Sequence, residues 1–459
     1  MAQNSATAKR PRVVIVGGGF AGLNAGMALA DMAVDVTLID RRNHHTFQPL
    51  LYQVALAVLS PADIAQPIRS VFSKKKNIEV LLDEVIGMQV DKRLLSLSSG
   101  AQLEYDYLIL ATGSTHSYFG KDDWAKNAPG LKAVEDAIEI RRRVLLAFEL
   151  AERQMVETGA HPELNFVIIG GGPTGVELAG AISDISKLYM RNDFRHIDPG
   201  KARVILIEGS PSILAAYPED LSKKAVAQLA QLGVEVHTGA SVMDVQPGYV
   251  VVGGKRLDTV VTLWAAGVQA SALGKMLGAP TDKRGCVMVD LYLNPPGHQE
   301  IFICGDLAHV EEGGRQVPGV AQPAMQMGRH AAQMIAHDMA GKPRTNFHYF
   351  DKGDMATIGR HAAVANVRWP FKAHWGGTMA WLAWVSVHLF FLVGFRNRVS
   401  VFLSWAWTYL TFNRGARLIT GSTELPGWGT QQNIRPQLAR EEESPTSLEG
   451  LNRVETALK

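Results

Sequence analysis

The chain has 459 residues, 46 basic against 44 acidic, and a formal net charge of +2. That length gives room for two or three domains with ample core, and nothing in the near balance of charge points to nucleic acid. Its two cysteines, Cys286 and Cys304, form no Cys-x-x-Cys, so neither a metal site nor a redox-active disulfide is indicated.

Residues 1–10 are polar and lack the apolar run of a secretory signal, so a disordered start and a cytoplasmic body are expected. From Arg12 to Asp40 the order is apolar strand, Gly17-Gly18-Gly19-Phe20-Ala21-Gly22, helix, second strand, acid. This is the dinucleotide fingerprint. Gly17 permits the turn, Gly19 lets a diphosphate reach the backbone, and Gly22 lets helix and strand approach. The free N–H groups at the helix start, with Phe20 and Ala21, then hold the diphosphate. Asp40 is placed to accept from ribose hydroxyls, with Arg41 next to it.

Residues 44–55, HHTFQPLLYQVA, are unusually apolar and aromatic for a loop, and suit either core packing or a pocket wall. A strand over 77–82 and a β-ribbon entered through Val85 follow. Tyr105–Leu110 reads as a buried strand running into Ala111-Thr112-Gly113. The segment 131–158 is predicted helical, apolar at Val144, Leu145, Phe148 and Ala151, with a solvated charged outer face.

The fingerprint then recurs. Phe166–Ile169 leads into Gly170-Gly171-Gly172-Pro173-Thr174-Gly175, a helix, and a strand ending at Glu208. Two dinucleotides are therefore expected. Gly209-Ser210, and no arginine, follows Glu208, which favours a free 2′-hydroxyl and hence NADH over NADPH. Glu177 lies two residues past Gly175. It either complements the helix dipole or works beside the nicotinamide.

Val260–Gly267, with Ala266-Gly267 at its end, repeats the strand-to-turn pattern, and Ile301–Cys304 reads as a strand running into Gly305-Asp306. Cys304 is expected as a buried structural thiol. A helix is predicted from Pro323, after Ala321 and Gln322. Gln322 and Gln326 share one face of it. They can either bond a ligand's carbonyls without the desolvation cost of a charge or satisfy loop backbone.

Trp375–Phe395 contains no formally charged residue and Val399–Phe412 is a second uncharged run, with Arg396 and Arg398 between them and Arg414 and Arg417 after. As one helix the first run would be about 31 Å long, near the thickness of a bilayer core. Tryptophans spread through both runs favour helices lying in the interface; a transmembrane hairpin and a buried dimer face are the alternatives. From 421 the chain is a polar tail carrying Glu441–Glu443, expected to be disordered.

Taken together, Gly17–Gly22, His45–Ala55, Gly170–Glu177, Gly305-Asp306, Ala321-Gln322-x-Ala324-x-Gln326 and the C-terminal aromatic segment resemble the type II, non-proton-pumping NADH:quinone oxidoreductases. These belong to the flavoproteins with two dinucleotide-binding domains. The resemblance implies an α/β fold of two Rossmann-like domains plus a C-terminal helical membrane-anchoring region. It implies FAD on residues 11–115 and 271–345, NADH on 116–270, and a membrane-associating region over 346–420. FAD would be held by Gly17, Gly19, Phe20, Ala21, Gly22, Asp40, Arg41, Val85, Thr112, Gly113, Asp306, Ala321 and Gln322. NADH would be held by Gly170, Gly172, Pro173, Thr174, Gly175, Glu177, Glu208, Ala266 and Gly267. Gln322 and Gln326 would line the channel of a membrane quinone, ubiquinone or menaquinone, with Glu177 near the nicotinamide. The implied setting is the cytoplasmic face of a bacterial inner membrane, on a lipid surface met by residues 375–420, with a homodimer as a further expectation. A sulfide:quinone-type or other flavoprotein reductase needs reactive cysteines that this chain does not group together. A non-catalytic sensor of NADH is the rival from another class.

Overall fold

A computed structural model describes residues 10–411 and 416–428. Arg414, the stretch 1–9 and the acidic tail lie outside the described residues.

Strand β1 (Arg12–Val16) feeds helix α1 (Phe20–Leu29) and returns as β2 (Asp35–Asp40). A short buried helix α2 (Leu51–Ala55) follows, then β3 (Ile78–Leu82) and β4 (Tyr107–Leu110). The long helix α3 (Val134–Thr158) leads to the second unit: β5 (Asn165–Ile169), α4 (Pro173–Asp184), β6 (Arg203–Glu208), β7 (Val234–Thr238) and β8 (Val261–Trp264). The chain re-enters the first sheet as β9 (Ile301–Ile303) and continues in α5 (Ala321–Met339). An antiparallel sheet, β10 (Gly353–Gly359), β11 (Ala362–Val367) and β12 (Ala373–Gly376), precedes helices α6 (Thr378–Phe391) and α7 (Phe395–Thr411).

Two parallel sheets result, ordered β9-β4-β1-β2-β3 and β7-β6-β5-β8. Their central strands are nearly pure Val, Ile and Leu because a parallel sheet is covered on both faces; Val13, Ile15, Val167 and Ile168 have no exposed surface. Register then positions the chemistry. Val16 pairs with Ile39 and Ile169 with Ile207, so each glycine turn lies beside the acid that ends the next strand. Gly328 lets α5 cross α1, since a side chain there would overlap the Ala21 carbonyl.

The structure corrects three sequence expectations. The charged face of α3 is solvated only in part: Glu149, Arg153 and Glu157 are exposed, but Arg141, Arg142 and Arg143 are all buried. Arg141 donates to the Val54 and Leu59 carbonyls, Arg142 to those of Ser422 and Glu424, and Arg143 to those of Lys126 and Asn127. Backbone carbonyls from three distant segments replace water. Arg141→Met, which keeps much of the bulk, should cost about 3 kcal/mol by stranding two buried acceptors. A urea melt with the midpoint of the unaltered chain would refute this.

Second, α5 begins at Ala321, two residues before Pro323. The backbone N–H groups of the first turn have no intrahelical partner, so proline is tolerated throughout it. Third, 375–395 is not one helix. It is the end of β12, then α6, then a break where Leu392 is extended and Gly394 has φ +90°, and Arg396 and Arg398 fall inside α7. No helix among the described residues is long and apolar enough to cross a membrane.

Candidate functional site

The two glycine turns are built alike down to single hydrogen bonds. At the first, Asp40 accepts the Gly18 N–H at 2.6 Å and the Arg42 N–H at 2.7 Å. At the second, Glu208 accepts the Gly171 N–H at 2.6 Å and the Ser210 N–H at 2.7 Å. Burial works against the Glu208 charge, yet the Ser210 and Gly171 amides hold its carboxyl below the ordinary value. A side chain on Gly22 would overlap the Gly17 carbonyl oxygen, and one on Gly175 that of Gly170. Over Gly19 and Gly172 there is open space. Each helix start is therefore bare where a diphosphate would lie.

Around the first turn the residues fit a large, partly polar group such as FAD. Thr112 Oγ1 and His45 Nε2 are buried with no partner. His45 presents its other ring nitrogen to the Gly18 carbonyl at 3.0 Å. Phe20 meets His45 and Phe47 edge to face. Asp306 accepts the Ser114 hydroxyl at 2.6 Å with the Lys132 ammonium at 3.8 Å. A methyl added at Gly305 would meet both Ala324 and Ala21, so Asp306, α1 and the Ala321 end of α5 lie close together. Gly113 turns the chain at φ +66° and Val85 is buried at the mouth of the ribbon. Arg41, in contrast, faces outward to Glu84. In the second unit Pro173 and Ala266 are exposed, Thr174 is half-buried, and Gly267 backs onto the Phe119 ring.

Between α2, α4, β10 and the C-terminal helices lies a cavity with about 60 Å³ of water-sized space, walled by Tyr52, Glu177, Thr357, Trp384, Trp405 and Tyr409. Burial pushes the Glu177 carboxyl well above its ordinary value, against the pull of a backbone hydrogen bond from Thr357. A carboxyl held neutral gains little from a helix dipole. Trp405 donates its indole N–H to Gln53 at 2.7 Å, and Gln53 donates to the Tyr52 hydroxyl at 2.9 Å.

Gln322 and Gln326 do not line this cavity. Gln322 donates to the Gly353 carbonyl at 2.9 Å, leaving its own oxygen buried without a partner. Gln326 uses both ends of its amide on the backbone of Phe350. The two places are joined by β10, since Gly353 and Thr357 are about 13 Å apart along it at ~3.3 Å per residue. Sequence reasoning missed Tyr52, Thr357, Trp384 and Trp405 as cavity residues; the aromatic density of 44–55 was the one signal available for Tyr52. Both cysteines are buried, with burial pushing the Cys286 thiol up to about 11 and the Cys304 thiol further up. Neither is a ready nucleophile.

The chain matches the pyridine nucleotide-disulphide oxidoreductase family over residues 11–328 and the NDH2 C-terminal domain over residues 352–414. Two relatives from Mycobacterium tuberculosis are each 42% identical. The type II NADH:quinone oxidoreductase Ndh aligns over 427 residues, 90% of this chain and 91% of its own length; the enzyme NdhA aligns over 435, 91% of each. The structure of NDH2 from Plasmodium falciparum in complex with NADH has the same fold, with a TM-score of 0.79 at 20% identity, covering 90% of this chain and all of that one.

Proposed function

The chain belongs to the type II NADH:quinone oxidoreductase family, and from that premise we propose that it oxidises NADH and passes the electron pair to a membrane quinone. FAD, when bound, supplies the two-electron relay between the two substrates. The remaining chemistry is positioning and proton supply by this chain. Hydride carries one hydrogen nucleus with its two electrons, so NADH, quinone and one proton give NAD+ and quinol, and that one further proton must come from the protein or water.

The observation that carries the reading is the twin turn: two separate dinucleotide cradles with matching carboxylate ties. FAD is assigned to the first, with Thr112, Gly113 and Asp306, and NADH to the second, with Glu208 at the ribose. A carboxylate there repels a 2′-phosphate, which supports NADH over NADPH. Glu177 is assigned as a proton donor facing the aromatic cavity, and Gln322 to the quinone site, its unpartnered oxygen able to accept from a hydroxyl of the quinol. The purified protein should be yellow, should bleach with NADH, and should recover colour when a quinone is added. Loss of NADH without any quinone requirement would defeat the proposal. Gln322→Leu should leave bleaching by NADH within about twofold and lower quinone turnover about tenfold, one or two hydrogen bonds' worth; equal losses in both half-reactions would count against Gln322.

The membrane assignment rests on α6 and α7. They hold no acidic residue, and outward they carry Phe395, 81% exposed, Leu410, 80% exposed, and Trp407. At about 21 Å and 26 Å they suit the interface plane. Arg396 and Arg398 stand at the start of α7, fitted to anionic headgroups on the cytoplasmic leaflet. We assign this face to lipid rather than to a second copy, because a two-fold contact through it would oppose like arginines.

A further inference from the structure

We propose that the turn joining β11 to β12, with Phe350 beside it, is a membrane-contact element in its own right, built to enter the interface of an anionic phospholipid surface. This rests on the lipid assignment of α6 and α7 and extends it to residues that neither helix contains.

A tight surface turn is normally made of Gly, Pro, Asn, Asp and Ser, of which this one has only its proline. Here it is Arg368-Trp369-Pro370-Phe371-Lys372. Trp369 is 55% exposed, Phe371 54% and Phe350 48%. Trp369 and Phe350 touch each other edge to face at 5.8 Å, and Phe371 meets Trp375 at 5.8 Å. The rings thus form two pairs, one through Trp369 and one through Phe371. Strand register gathers them: Gly353 pairs with Val367, and Val367 with Ala373, so the chain around Phe350 and the turn share one end of the sheet.

That end adjoins the helices. Lys352 places its ammonium 5.4 Å from the ring of Phe391, the last residue of α6. Phe390, 69% exposed, stacks edge to face on Phe391 and lies 6.0 Å from the Arg398 guanidinium. The end of α6 is therefore joined to the corner through Lys352, a cation on an aromatic ring.

Charge selects the lipid. The nearby acids are committed within the protein: Asp351 and Asp354 to Arg368 at 2.7 Å and 2.8 Å, and Glu312 to His348 and the Tyr349 amide. Lys352 and Lys372 are exposed and pair with no carboxylate among the described residues. Aromatic rings at headgroup depth flanked by lysines are the arrangement of interfacial binding. The corner is also braced, because Gln326 grips the N–H and C=O of Phe350 from the first turns of α5. It meets the bilayer as a fixed surface, next to the helix that carries Gln322.

The test is flotation of the full-length holoenzyme with vesicles of phosphatidylcholine, with and without phosphatidylglycerol. Trp369→Ser with Phe371→Ser should weaken partitioning about tenfold or more, as expected for withdrawing two rings from the interface. Turnover of NADH with a water-soluble quinone should stay within about twofold. Lys352→Gln with Lys372→Gln should reduce only the part of the binding that phosphatidylglycerol adds. A control with Phe402→Ser and Leu403→Ser on α7 tests the helices. If the control is lost while the turn variant binds like the unaltered enzyme, the helices anchor alone and the corner proposal falls. If neither variant changes partitioning, the lipid assignment of both falls. If the turn variant loses turnover with the soluble quinone, the corner serves the active site and the proposal is overturned.

Discussion

Replacing Glu177 with Gln is expected to lower NADH:quinone turnover about a hundredfold while leaving NADH affinity and flavin bleaching nearly unchanged. Quinol formation needs one proton beyond the hydride, and a donor is useful only if it holds its proton at the working pH. Burial raises the Glu177 carboxyl well above its ordinary value, which keeps it neutral where an exposed glutamate would be charged. Glutamine has the same shape and no charge, so folding should tolerate it; it has no proton to give. The loss of a positioned acid is worth ~10²–10⁴ in rate. The sign of the pH effect follows. The active form is the protonated one, so turnover of the unaltered enzyme should decline as pH rises through the raised value. The variant, already slow, should show no such limb. Turnover within twofold of normal with the same alkaline decline would remove Glu177 from the proton path.

The second large effect separates the two nucleotides. Gly22→Ala and Gly175→Ala install the same methyl against the same kind of carbonyl, that of Gly17 or Gly170. Neither neighbour can yield, because each is the backbone of the turn itself. Overpacking of ~1–3 kcal/mol corresponds to about 5- to 150-fold weaker binding. Gly22→Ala should be isolated pale or colourless. Gly175→Ala should remain yellow and bleach with dithionite, but need far more NADH to bleach. A yellow Gly22→Ala that ignores NADH, beside a colourless Gly175→Ala, would reverse the assignment of cofactor and substrate.

What could be read in the sequence was what is local. A fingerprint spans about thirty residues and its parts touch one another, so Gly17, Gly22, Asp40 and their counterparts Gly170, Gly175 and Glu208 were all visible. The buried arginines of α3 were not. Helical periodicity shows which face is apolar and cannot show that carbonyls at 54, 127 and 422 will arrive to replace water around the rest. The aromatic cavity was hidden for the same reason, because Tyr52, Glu177, Thr357, Trp384 and Trp405 come from five separate stretches. Gln326 is instructive. Its spacing from Gln322 placed it on the shared face, yet the partner that occupies its amide lies 24 residues on, at Phe350. The break at Gly394 was readable as a glycine in an apolar run, and the length of that run obscured it.

The inward sides of α6 and α7 have a consequence for any test of the proposed lipid contact. Trp384, Val401 and Trp405 are buried, and Trp384 and Trp405 help close the space in front of Glu177. Cutting the helices away would flood that chamber and remove Trp405, the hydrogen-bond donor to Gln53, so a truncated form would fail for reasons unrelated to lipid. The proposed contact is better removed by replacing Phe395, Phe402, Leu403, Trp407 and Leu410, all exposed, with polar side chains. The keel of this molecule is also one wall of its hold.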